Sequence, residues 1–399
     1  MEVFSSTGGF LLYNCFMSIR KNQKVAVALS GGVDSGVAAY LLKQQGYDLV
    51  GFHLHLWGKQ GQNRCCSPEI EMAARKTAEM LGIPYFVLNY EAEFKRAVVA
   101  PFLEDYAAGL TPNPCVNCNK NIKFGKLFKF IKEFGCDYLA TGHYARILAR
   151  SKKLEARSKI PCFTLQASSK DYKLLEALDK AKDQSYFLYM LSQDQLAHLI
   201  LPLGEMKKEE VWKIARVQNL PVKESKESME ICFIEEDDYR DFLKKEIPEK
   251  LIRGDIVDQE GHIVGRHEGL PLYTIGQRKG LEIKPLPGSG GFAAPMFVVG
   301  KDIAKNQLIV GGWHDCLSAE FAVSELNRSN ESNRTNKSNL KCEVRIRLRG
   351  EKVPCEVAPL SRKKAKVTLK ESLRGVSPGQ SAVFYEGEEV LGGGIINLE

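Results

Sequence analysis

The hexapeptide Ser30-Gly31-Gly32-Val33-Asp34-Ser35 (SGGVDS) lies between the apolar run Lys24 to Leu29 and the segment Val37-Ala38-Ala39-Tyr40-Leu41-Leu42. The first run is short and rich in valine, which predicts a buried parallel strand, whereas the second has helical spacing. The hexapeptide is therefore a strand-to-helix turn. Gly31 and Gly32 permit positive φ and close backbone approach, and Ser30 and Ser35 supply hydroxyls. The helix that follows aims free N–H groups and its positive dipole end at whatever occupies the turn, which suits a phosphate. A P-loop would continue with Lys-Ser or Lys-Thr, and neither follows here. Without a lysine for the β- and γ-phosphates, the turn fits a pyrophosphate cradle better than γ-phosphoryl transfer. An ordinary glycine turn is the plainer alternative.

The elements downstream alternate. Leu49 to Leu54 predicts a second strand, Pro68 to Leu81 an amphipathic helix stopped by Gly82, and Ile83 to Leu88 a third strand. Helices are expected over Phe94 to Tyr106 and Asn121 to Phe134, and a strand over Tyr138 to Thr141. This pattern predicts an α/β fold with a doubly wound parallel sheet that binds ligands at the carboxyl ends of its strands. Gly142-His143-Tyr144 then shares an edge with SGGVDS. Helical patterning returns over Gln193 to Leu201 and Lys207 to Asn219. Past residue 230, short alternating runs separated by Gly, Pro and Asp turns predict small β-barrels. The polar stretch Asn327 to Leu340 reads as a solvated loop. The expected organisation is a disordered extension over 1–23, a catalytic domain over 24–226, a central domain over 227–300 and a β-barrel over 301–399. Met17 is a natural start, so residues 1–16 read as an over-long gene start.

At 399 residues the chain is expected to hold two or three domains. Its net charge of +7 is compatible with nucleic acid without pointing to it. Eleven cysteines, odd in number and scattered, do not fit a secreted disulfide scaffold and point to a reducing, cytoplasmic compartment. No window approaches the length of a membrane span, and the N-terminus lacks the features of a signal peptide.

Several segments carry chemistry. In Thr111-Pro112-Asn113-Pro114-Cys115-Val116-Asn117-Cys118-Asn119-Lys120, two prolines freeze an extended loop, and the cysteines at 115 and 118 can share a metal or form a redox pair. A zinc site would need a second pair, and Cys65-Cys66 is the other close one. Cys118 precedes the helix expected from Asn121, whose N-terminus would favour a thiolate. Cys232, between Ile231 and Phe233, reads on its own as a small buried hydrophobe. Lys182-Asp183-Gln184 is either a helix start or a polar site. Gly276 to Gly280 is a basic glycine turn. Arg345, Arg347 and Arg349 alternate with period two, which predicts three guanidiniums on one strand face, suited to phosphates or simply solvated.

As a set these segments resemble the tRNA-specific 2-thiouridylases of the PP-loop ATP pyrophosphatase superfamily. The matching pieces are SGGVDS (30–35), GxTPNPxxxCNxxIKF (109–124), TGHYA (141–145), KDQSYFL (182–188), ICFI (231–234), GQRKGL (276–281), PGQSAVFY (378–385) and LGGGII (391–396). The resemblance implies a PP-loop α/β domain, a small central domain and a C-terminal β-barrel. It also implies ATP-dependent 2-thiolation of the wobble uridine of tRNA, with ATP and Mg2+ as cofactors. The partners are tRNA and a sulfur donor or persulfide-relay protein, with no membrane. By the same resemblance Ala28, Leu29, Ser30, Gly31, Gly32, Val33, Asp34 and Ser35 form the ATP loop, with Leu54 on the adenine side and Gly142 as a further ATP contact. Asn113, Pro114 and Cys115 match the segment at the target base. His143, Lys182, Asp183, Gln184, Arg347, Leu348 and Gln380 match tRNA contacts. Cys118 matches the nucleophile and Cys232 the persulfide carrier, joined in a transient disulfide. Many relatives have an acid where this chain has Cys115. The trio Cys115, Cys118 and Cys232 is therefore also a candidate ligand set for an iron–sulfur cluster. Another PP-loop tRNA thiolase, a PP-loop amide ligase and a zinc-bearing tRNA-binding protein are the rival readings; the last two leave either the cysteines or SGGVDS without a role.

Overall fold

The computed structural model describes residues 23–58, 67–149, 171–222, 231–234, 238–283, 295–328 and 339–397. Residues 1–22, Cys65-Cys66 and most of the polar stretch after Asn327 lie outside them. None of the described helices is long and apolar enough to cross a membrane.

Strand β1 (Lys24–Ala28) lies at the centre of a parallel sheet. β2 (Asp48–His55) and β3 (Tyr85–Asn89) extend it on one side. On the other side lie β4 (Tyr138–Ala140) and, after an intervening hairpin, β7 (Leu199–Ile200). Val25, Ala26 and Val27 are fully buried because both faces of the sheet are covered. On one face α1 (Val33–Gln44) and α2 (Pro68–Leu81) bury Ala39, Leu42, Ala74 and Ala78 against Val25, Val27 and Leu49. On the other, Phe124, Leu127 and Ile131 cover Ala26, Val50 and Phe52. The strand order reverses beside β1, so a crevice opens at its carboxyl end, where SGGVDS sits.

Helix α1 is apolar nearly all round because a second helix, Lys208–Val217, covers its outer side. Val37, Ala38 and Leu41 pack against Val211 and Ala215. The helix expected over Gln193 to Leu201 is shorter: only Gln193–Ala197 is helical, with Ser192 and Gln195 forming a capping box. The buried Leu199 and Ile200 become β7 instead. An apolar run this short does not distinguish helix from strand by period.

Past β4 the chain leaves the sheet in the hairpin β5 (Ala145–Ala149) and β6 (Tyr172–Glu176). β8 (Gly254–Val257), β9 (Ile263–His267), β10 (Phe297–Asp302) and β11 (Gln307–Gly311) form the central sheet, in the order β10-β11-β8-β9. The expected boundary at residue 300 falls inside the β10–β11 hairpin, so the central unit runs on through Gly311. Asn306 makes the turn between β10 and β11 with a φ of 51°.

Six antiparallel strands close the C-terminal barrel: β12 (Leu317–Asn327), β13 (Leu340–Arg345), β14 (Val353–Pro359), β15 (Ala365–Arg374), β16 (Ser381–Glu386) and β17 (Glu389–Asn397). β17 pairs back onto β12, and at its start it also pairs with β6, through Leu174–Val390 and Leu175–Glu389. The barrel is thereby joined to the catalytic domain by a shared sheet. Beside that seam, Arg345 lies 3.1 Å from Glu176 and 3.3 Å from Asp183, and Lys352 lies 3.0 Å from Glu176.

The expected three-arginine strand face does not form. β13 ends at Arg345, and Gly350 N–H bonds the Arg347 carbonyl at 3.0 Å as the chain turns. Arg345 therefore points into the protein, while Arg347 and Arg349 stand exposed on the turn.

Candidate active site

The carboxyl edge of the parallel sheet, the central domain and the barrel enclose one cavity of about 1520 Å³. Ala28 to Asp34 line it at one end; Asn113, Pro114, Cys115, Cys118 and Cys232 line it as well. Leu54, His143, Lys182, Asp183, Gln184, Arg347, Leu348 and Gln380 complete the set of expected site residues on its wall. Lys123, Lys182, Lys208, Arg240, Lys279, Arg347 and Arg349 also line it, against the carboxylates of Asp34 and Asp183. Such a wall attracts polyanions.

The glycine turn is braced from within. Ser35 Oγ accepts from Ser30 N–H at 3.1 Å and donates to the Gly32 carbonyl at 3.0 Å. Ser35 is thus a strut, and it does not reach the cavity wall. Gly31 has φ +79°, and a Cβ there would lie 2.2 Å from the Ile70 carbonyl oxygen. Gly142 likewise stands behind the loop, where a Cβ would lie 2.7 Å from the Asp34 carbonyl carbon. Only glycine lets the TGHYA segment approach so closely. These features fit a phosphate chain held by backbone N–H groups at the start of α1. His53 adds an unmatched acceptor or donor: its Nδ1 is 2.8 Å from the Leu29 carbonyl oxygen, while its buried Nε2 has no partner.

Asp34, in the first turn of α1, accepts a hydrogen bond from Tyr144 Oη at 2.8 Å. Its two carboxylate oxygens also lie 2.6 and 2.8 Å from Lys208 Nζ. One such carboxylate suits Mg2+, which takes one or two carboxylates and otherwise keeps waters and phosphate oxygens. Sequence reasoning missed Lys208 altogether. Nothing local marks it, since it only opens a helix far along the chain. Tyr144 had a signal, its place in TGHYA.

On the thiol side, Asn113 caps a helical turn, Pro114–Cys118, by accepting from Val116 N–H at 3.3 Å. The chain continues without a break through π-helical Asn119–Leu127 into Phe128–Glu133. The helix therefore starts at Pro114 rather than Asn121, so Cys118 sits inside it and Cys115 takes the place near its N-terminus. Burial pushes the Cys115 thiol up to about 12, the neighbouring Cys232 adds to the rise, and Lys123 opposes it. Cys118 is buried in the cluster that holds Phe233 and Ile234, and Cys232 packs at the edge of that cluster. Both are held as thiols rather than as a disulfide. No third ligand joins Cys115 and Cys118 at single-ion spacing among the described residues.

The expected tRNA-contact positions divide. Lys182, Arg347 and Gln380 face the cavity. Gln380 also reaches the Pro112 carbonyl at 3.5 Å, and Thr111 N–H bonds the Pro378 carbonyl at 2.8 Å, so the barrel holds the TPNP segment. Asp183 is different. Its carboxylate accepts from Ala177 N–H, Ser185 N–H and Ser185 Oγ at 3.0, 3.2 and 2.9 Å, which makes it an organiser of the local backbone. Gln184 Oε1 accepts from Tyr144 N–H at 3.0 Å and ties the same region to TGHYA. Desolvation of the half-buried His143 ring lowers its pKa well below the ordinary value, with Lys123 adding to the effect. Its imidazole is neutral, with Nδ1 2.8 Å from Thr141 Oγ1.

Three family models match the chain in succession. They are a tRNA methyl transferase HUP domain over residues 23–236, a tRNA methyl transferase PRC-barrel domain over 240–312 and an aminomethyltransferase β-barrel domain over 318–396. The chain is 43% identical over 382 residues to a protein of Roseiflexus castenholzii named tRNA-specific 2-thiouridylase MnmA, covering 94% of this chain and 99% of that one. It is 38% identical over 379 residues to the MnmA of Clostridioides difficile, covering 94% and 98%. Among solved structures, the U34-tRNA thiolase NcsA of Methanococcus maripaludis with its [4Fe-4S] cluster matches with a TM-score of 0.36 and 24% identity, over 60% of this chain and 72% of that one.

Proposed function

The chain belongs to the tRNA-specific 2-thiouridylase family, and we propose that this sulfurtransferase modifies the wobble uridine in two steps, adenylation and then persulfide attack, in the cytoplasm. The observation that carries this reading is the shared cavity. A phosphate-binding turn without its own lysine and the thiols of Cys115, Cys118 and Cys232 line the same wall.

The uridine C2 oxygen is a poor leaving group. In the first step it attacks the α-phosphorus of ATP, the α–β P–O bond breaks, and pyrophosphate departs from the backbone cradle of Ala28 to Asp34. Asp34 is the residue that would hold Mg2+, which would supply charge neutralisation on the phosphates. The base now carries AMP on O2. In the second step the terminal sulfur of a Cys232 persulfide, loaded by a sulfur donor, attacks C2, and AMP leaves with the oxygen. Cys118 thiolate then attacks the Cys232 sulfur. The S–S bond breaks toward the base, which keeps the sulfur as the 2-thiocarbonyl, and a Cys118–Cys232 disulfide forms. A thiol reductant resets the pair. The target base must leave the anticodon stack to reach this depth. Cys115, a protonated thiol, lines the base pocket in this scheme.

The test is nucleotide and nucleoside analysis after incubation with unmodified tRNA, ATP and a persulfide donor. The expected products are AMP, pyrophosphate and tRNA containing 2-thiouridine. ADP and phosphate would overturn the adenylation step.

The exposed arginines on the barrel turn supply a second test. If Arg347 neutralises one phosphate of the tRNA backbone, Arg347→Ala weakens binding and lowers the salt-dependence slope by about one unit. Filter binding over a range of salt concentrations measures it. An unchanged slope would return Arg347 to a solvated surface role.

A further inference from the structure

The SGGVDS turn lacks the lysine that a P-loop carries within its own loop, yet the fold brings one to it. Lys208 is the first residue of helix Lys208–Val217, and its Nζ lies 2.6 and 2.8 Å from the two carboxylate oxygens of Asp34. Its placement is fixed from several sides. Asp179 accepts from its backbone N–H at 3.0 Å. The ammonium sits 5.6 and 5.7 Å from the ring centroids of Tyr144 and Trp212. Val211 and Ala215 anchor the helix on α1, the very helix whose N-terminus forms the phosphate cradle. The side chain is only 12% exposed, and it lines the cavity beside the turn. An ammonium held between two aromatic walls at the mouth of an anion cradle is well suited to a phosphate, as a compact point charge.

From this geometry we propose that Lys208 is the phosphate-binding lysine of the site. It pairs with Asp34 in the free protein and contacts the β- and γ-phosphates of bound ATP, the part that departs as pyrophosphate. The inference rests on the adenylating reading and names the group that neutralises its leaving group. Asp34 is then released for Mg2+, so the ion pair keeps the cradle's two charged groups in place until nucleotide arrives.

The experiment compares ligands that share the adenosine end and differ in the phosphates. Binding of Mg-ATP and of AMP is measured by calorimetry on wild type, Lys208→Met and Lys208→Arg, with thermal unfolding as the check on folding. Lys208→Met is expected to weaken ATP binding about 10- to 100-fold, the worth of a charge-assisted contact, while AMP binding changes less than about 2-fold. Lys208→Arg is expected to retain most of the ATP affinity. Equal losses for ATP and AMP, or no loss for ATP, would overturn the proposal. Asp34→Asn with and without Lys208→Met, titrated with metal-free ATP, separates direct contact from simple masking of Asp34. Direct contact predicts that losing Lys208 still weakens binding in the Asp34→Asn background, and an equal affinity there would overturn it. The adenylation reading has its own readout, pyrophosphate release by the wild type. A wild type that binds ATP but makes no pyrophosphate fails that reading, while the ATP–AMP contrast still decides Lys208.

Discussion

Cys118→Ser and Cys232→Ser are each expected to lower tRNA thiolation by at least about 10³-fold, because each removes a thiol that forms a covalent bond in the cycle. Both variants should bind ATP and tRNA with near wild-type affinity, since neither side chain belongs to the phosphate cradle or to the basic wall. They should also still release pyrophosphate once per bound tRNA, because adenylation precedes any sulfur chemistry. Cys115→Ser separates two sulfur routes. In the persulfide route Cys115 only lines the base pocket, and its thiol, pushed up to about 12 by burial, is protonated at neutral pH. Serine preserves a protonated group of similar size, so Cys115→Ser should keep activity within about tenfold in air, a shape change rather than the loss of a reacting group. A cluster ligated by Cys115, Cys118 and Cys232 predicts the opposite: near-complete loss, and a brown anaerobic protein with visible absorption. A fully active Cys118→Ser enzyme would defeat both routes.

The parts of this site that the sequence made legible are those built by neighbours in the chain. SGGVDS announces its own turn, because strand, glycines and helix are consecutive. α2 runs over the expected Pro68–Leu81, where period, proline at the start and Gly82 at the end all agree. The misses have physical reasons. Pro114 looked like a loop-former beside Pro112, although proline is also favoured as the first residue of a helix, and Asn113 before it is a good cap. That single misreading moved the helix start and with it the place of Cys118. The period-two pattern of Arg345, Arg347 and Arg349 runs past the end of the strand, which stops at Arg345 in a turn that local alternation does not reveal. Lys208 and the β6–β17 pairing were beyond reach for a different reason. Each joins positions far apart in the chain, and nothing local to either position encodes the meeting.

The second large effect is on stability, and it concerns the seam between barrel and catalytic domain. β6 and β17 share only two paired positions, Leu174–Val390 and Leu175–Glu389, so polar contacts beside them carry much of the join. Arg345, at the end of β13, bridges Glu176 and Asp183, whose side chains are 4% and 3% exposed. Arg345→Met leaves Asp183 buried and without its cation, while Lys352 still faces Glu176. Removing one partner of a buried pair costs about 3–5 kcal/mol, against under about 1 kcal/mol for an exposed pair. Lys180→Met, which removes a half-exposed lysine 3.0 Å from the same Glu176, is the matched control and should change little. The loss should also depend on pH in a predictable direction. Burial already raises the Asp183 pKa more than its hydrogen bonds lower it. Without Arg345 that pKa rises further above its unfolded value, so the folded variant binds more protons than its unfolded chain as pH falls. Stability of the variant then increases toward acid, and its deficit against wild type should shrink between about pH 7 and pH 5. Urea unfolding of both proteins at those two pH values measures the effect. A deficit that is the same at both, or below about 1 kcal/mol, would mean that the two carboxylates tolerate burial without Arg345 and that the seam is held by its backbone pairing and apolar contacts alone.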